Sequence, residues 1–137
     1  MTTQTHRRTC SGGVAIGAFV LLCSPVFAKT YSMIQTPPAA AIASISSAET
    51  LHQLVLANLI ASNCNGSGLT KGDAGLLGGT AQAVAEHMGV SGDQYFSDYI
   101  HPAMIKVMVP DTCDQYGGDA RKVLEILKGL GGVVVDE

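Results

Sequence analysis

Cysteines, histidines and paired carboxylates are the side chains of this chain that could do chemistry, and their spacing decides how much. A thiol enzyme needs an activated thiolate beside a base, or a second cysteine close enough to resolve it. Neither Cys64 nor Cys113 lies in a C-x-x-C or any other reactive motif. The 137-residue chain holds two further cysteines, Cys10 and Cys23, both near its start. His52, His87 and His101 stand singly, with no H-x-x-x-H or H-E-x-x-H pattern to hold zinc. Near a helix end, His87 reads as a partner for the helix dipole rather than as a pH switch. Asp111 and Asp114 have the spacing of two carboxylates that could share a glycoside, but they read as loop charges and caps. Ser67 sits in Gly66-Ser67-Gly68, a turn and not a nucleophile elbow. The glycines from Gly75 to Gly79 fall in a helical pattern, so they form no phosphate cradle. No residue set here names a reaction or a cofactor, and the expectation is a non-enzymatic protein.

The cysteines take their meaning from the N-terminal segment. His6-Arg7-Arg8 is basic, Gly13 to Cys23 is apolar, Pro25 interrupts the run, and Val26-Phe27-Ala28 offers small residues for cleavage after Ala28. The apolar run is shorter than the roughly 20 residues of a spanning helix, so residues 1–28 read as a signal peptide and no stable membrane anchor is expected. Thr9-Cys10-Ser11 lacks the apolar residues that should follow a twin arginine, and Leu22 is too large to precede a lipid-modified Cys23. The reading is ordinary export to the periplasm or beyond the cell. Cys10 and Cys23 depart with the leader, leaving Cys64 and Cys113 only each other in an oxidising compartment. Closing a loop of about 50 residues stabilises a fold by about 4 kcal/mol in the chain-entropy model.

Of eight Lys and Arg residues, Arg7 and Arg8 fall in the leader, so six face eleven acidic residues. An acidic chain without a basic stripe lacks the footprint of a nucleic-acid binder and is a poor match for an anionic membrane. What remains after the leader is long enough for one domain and one core.

Elements that must position these residues follow from periodicity and capping. Residues 29–46, with Pro37-Pro38 among alanines and serines, read as a flexible linker. A helical domain over 47–132 starts with a capping box at Ser46 and Glu49. Its first helix runs to about Ser62 and is apolar on several sides, as a central helix is: Leu51, Val55 and Leu59 share one face, Leu56 and Ile60 another. Thr70 and Asp73 cap a second helix to Met88 with a stripe of Leu77, Ala81, Val84 and Met88. On another of its faces, Gly75, Gly79 and Ala83 either admit a close neighbour or lie exposed. Ser91 and Gln94 cap a third helix that puts Phe96, Tyr99, Ile100, Ala103 and Val107 on one face, opposite Asp98 and His101. Pro102 denies an amide to the Asp98 carbonyl, which predicts a kink or a split. Tyr95 and Tyr99, on one side of this helix, are either core-edge residues or the candidate interface for a protein partner. Gly117-Gly118-Asp119 predicts the start of a fourth helix, with Val123, Ile126, Leu127 and Leu130 buried, and residues 133–137 read as a tail too short for a sheet of its own. The expected fold is all-α: a compact bundle of about four helices, with the disulfide joining the end of the first helix to the loop before the last.

An exported chain with Cys64 and Cys113 about 50 residues apart on helical segments resembles the periplasmic acid-stress chaperones of the HdeA type. The likeness spans the leader, both cysteines and the helices between them, and it departs from that family in having no tryptophan near the first cysteine. It implies a dimer that opens at low pH and shields clients with apolar helices. At the level of architecture alone, the chain is also similar to disulfide-bonded immunity proteins that neutralise secreted bacterial toxins. The functional expectation is an exported module that binds a protein partner or a second copy, with the acid chaperone as alternative and an enzyme of unrecognised type third.

Overall fold

The computed structural model describes residues 32–136. The leader expected over 1–28 lies outside them. The described chain is mostly helical, with five helices packed together and one disulfide, Cys64–Cys113. In order the elements are β1 (Ser32–Gln35), α1 (Ala39–Ile45), α2 (Ala48–Asn63), α3 (Lys71–His87), α4 (residues 92–107), α5 (Thr112–Gly129) and β2 (Val133–Asp136). Within α4 an α turn, Gly92–Gln94, leads into a π-helical stretch, Tyr95–Ile100, and then an α stretch, His101–Val107.

α2 is central, as its many-sided apolar pattern requires. It packs against α3, α4 and α5, with Leu51, Leu54 and Ile60 almost wholly buried. Its cap lies one residue later than expected: the Ser47 hydroxyl accepts from the Thr50 amide, and Glu49 faces Gln53 across one turn. α3 begins with the full Thr70–Asp73 capping box, and the opposite oxygen of the buried Asp73 carboxylate lies 3.5 Å from Lys128 on α5. Asn58 on α2 donates to the Ala74 carbonyl at 2.7 Å, passing over Gly78, where a Cβ would press on its amide.

Both ends of the described chain are more ordered than their composition predicts. Residues 32–45, expected as part of a flexible linker, form β1 and α1, and Ile42 and Pro37 are buried. The tail is β2, antiparallel to β1, with Ile34 opposite Val134 and Met33 opposite Val135. The tail lacked a strand partner only when read locally; the partner lies at the other end of the chain. Val134 packs on the core, and Ile34 and Thr36 lie against Gly75 and Gly79 of α3. The glycine face is therefore a seat for the N-terminal segment, and at Gly75 a Cβ would collide with Ile34.

The last helix starts earlier than Gly117-Gly118. Asp111 precedes it at φ 66°, a left-handed conformation that a short polar side chain tolerates. The Thr112 hydroxyl donates to the Lys106 carbonyl at 2.8 Å, fastening α5 to the end of α4. Cys113 thus lies in the first turn of α5 and not in a loop. Both glycines sit inside the helix, where each costs about 1 kcal/mol against alanine; the disulfide and the Thr112 bond hold the turn that precedes them. Leu124 and Leu127 form its buried stripe with Ala120, while Ile126, expected inside, is 60% exposed.

Candidate functional site

Pro102 shapes the surface of α4. Its ring would press on the Asp98 carbonyl in a regular α-helix, and it offers no amide to that acceptor. The helix does not split there: Ile100 and His101 keep helical dihedrals, and the His101 amide bonds to the Phe96 carbonyl, one residue further back than α geometry allows. The wider π turn absorbs the proline and shifts the register of every residue before it.

That shift redistributes the aromatic residues. Tyr99 turns inward at 9% exposure, its ring 4.5 Å from the His52 ring on α2, which makes it a packing residue rather than interface surface. Tyr95 is half-buried 6.3 Å from Tyr99, and burial raises its hydroxyl above the ordinary tyrosine value. Phe96, expected on the buried face, is 54% exposed and lies beside His101, five residues on, with ring centroids 6.3 Å apart. An aligned pair at that spacing belongs to a π turn, whose bond joins residues five apart.

The side of α4 away from α2 also carries exposed apolar residues after the π turn. Met104 and Met108 follow each other at one-turn spacing, Ile105 lies between them, and Val109 extends the surface past the helix end. These four, and Phe96 beyond the exposed His101, make a strip that puts large apolar side chains in solvent, Met108 being 73% exposed. Isolated exposed apolar residues need no explanation, but a group such as Met104, Ile105, Met108 and Val109 does. Sequence periodicity points to Tyr95 and Tyr99, on the other side of the same helix. The readable signal for the strip was that Met104, Ile105 and Met108 are apolar where a surface helix should be polar.

A second feature crosses the outer surface of α2. Between α2 and α5 a hollow of about 360 Å³ is floored by Ala57, Ile60 and Ala120 and walled by Leu56, Val123 and Ile126. Between α2 and α4 another, of about 300 Å³, shares Gln53 and Leu56 with the first and reaches Pro102 and Lys106. The Lys106 ammonium sits 4.6 Å from the centre of the Tyr116 ring, bridging the two.

Cys64 and Cys113 are joined, their Cα atoms 5.5 Å apart, an ordinary disulfide separation. A bonded pair supplies no thiolate for catalysis. Among the described residues no three His, Cys, Asp or Glu side chains converge as metal ligands, and no helix is long and apolar enough to cross a membrane. Compared with known proteins, the chain matches no family model, no curated protein and no solved structure.

Proposed function

We propose that the protein is a non-enzymatic exported module, periplasmic or secreted, that binds a folded protein partner through the outer face of α4. The observation that carries this reading is the exposure of Phe96, Met104, Ile105, Met108 and Val109 along α4 and just past its end. Water-facing apolar strips of this kind are stabilised when a partner covers them. The bonded Cys64–Cys113 pair is compatible with an oxidising compartment and supports export together with the leader pattern.

Replacing Ile105 and Met108 together by Asp tests the reading, since both are exposed and the core is untouched. Carrying a photo-crosslinker at Ser97 beside the strip, the native protein should form a discrete heterodimeric adduct in its own compartment, and the double variant should not. Equal adducts from both proteins, or none from either, would sink the proposal.

Met104 and Met108 give a second reading its own support. Thioether side chains repack easily, and methionine-rich surfaces suit binders of many partners. That is the property an acid-stress chaperone needs. Suppression of client aggregation at about pH 3 by the native protein, weakened in the double variant, would favour it; no suppression at that pH or at neutrality eliminates it.

A further inference from the structure

The two neighbouring hollows over α2 lie away from the outer face of α4 and have a different character. The two lie side by side, with Leu56 and Gln53 in both linings, and are taken together as a trough. At the α5 end the aliphatic side chains Leu56, Val123 and Ile126 share the lining with Tyr116 and the Asp119–Lys122 pair, and Ile126 is 60% exposed. At the α4 end the lining is also largely apolar, with Leu56, Pro102 and Ala103, and it adds the cation Lys106.

The charges at the rim differ in what they already hold. Lys122 is bound to Asp119 at 3.0 Å. Among the described residues Lys106 makes no ion pair, and its ammonium rests over the Tyr116 ring. A cation placed on an aromatic face keeps donors free for an anion. It stands where the two hollows meet, since Lys106 lines one and Tyr116 the other. An aliphatic trough with an uncommitted ammonium beside it complements a molecule with an unbranched apolar chain and one anionic head.

We infer that this trough binds a free long-chain fatty acid, the alkyl chain lying on Leu56, Val123 and Ile126 and the carboxylate meeting the Lys106 ammonium. The Asp119 carboxylate, the acidic group lining the same hollow, is exposed to solvent and paired with Lys122, which screens it from the head. The site is independent of partner binding by α4, so either reading can fail alone.

Palmitate, titrated calorimetrically into the natively purified protein below its micelle concentration, tests the inference. One palmitate should bind per chain. Lys106→Gln should raise Kd by roughly tenfold, the equivalent of one lost charge-assisted contact. Ile126→Glu should abolish binding while circular dichroism stays unchanged, because the side chain is exposed. Hexadecanol should bind at least as weakly to the native protein as palmitate does to Lys106→Gln. Palmitate failing to bind, equal affinity for hexadecanol, indifference to both substitutions, or cosedimentation with phosphatidylglycerol vesicles in place of palmitate binding would each overturn it.

Discussion

Burial raises the Tyr95 hydroxyl above its ordinary value of 10.0, and the cause is desolvation of the phenolate. The fold therefore prefers the neutral phenol. Its contribution to stability is complete below the unfolded value and is lost as pH rises through the higher folded value. In an ultraviolet titration one tyrosine should ionise late, and Tyr95→Phe should remove that phase; an unchanged titration would show that another ring is responsible. Tyr99 makes the complementary point. Helical spacing puts it beside Tyr95, but only its contact with His52 on α2 reveals which of the two is buried. Asp73 was legible from its distance to Thr70, because a capping box is made within four residues, whereas its approach to Lys128 spans two helices and left no local trace.

At the scale of elements, capping boxes and stop signals marked the starts of α3 and α4 and the end of α3. The failures fall where distant contacts replace local rules. Gly117-Gly118 reads as a helix start by propensity, yet α5 begins at Thr112 because the disulfide and the Lys106 carbonyl anchor that turn. In α4 the proline was visible and its remedy was not. A kink, a split and a π turn all relieve the same clash, and packing against α2 selects among them. If Pro102 is the cause of the π turn, Pro102→Ala restores an amide that can bond to the Asp98 carbonyl, and the segment should relax to α geometry. The Phe96 and His101 rings would then rotate apart, and a nuclear Overhauser contact between them should weaken. Persistence of that contact would assign the π turn to packing against α2 instead.

For the whole molecule, two long-range ties dominate. The disulfide joins the end of α2 to the first turn of α5, and the β1–β2 pair joins the two ends of the described chain across the glycine face of α3. Removing the first by Cys64→Ser should destabilise the protein by about 4 kcal/mol and lower the thermal midpoint markedly. A midpoint unchanged from that of the oxidised protein would refute the staple. The charge balance sets an expectation about partners from composition alone, but composition cannot say which apolar residues remain outside once a core is full.

By itself the sequence determined a mostly helical class, the central place of α2, the caps of α3 and the pairing of Cys64 with Cys113, since each rests on periodicity, local spacing or the count of available partners. Only the tertiary structure decided that residues 32–45 are ordered, that the last residues form a strand, and that Phe96 and Ile126 face solvent. A strand needs a partner that sequence distance hides, and a helix face is buried only if another element reaches it. The Pro102 π turn and the trough across α2 both arise at that level, and the candidate sites lie on the surfaces they create.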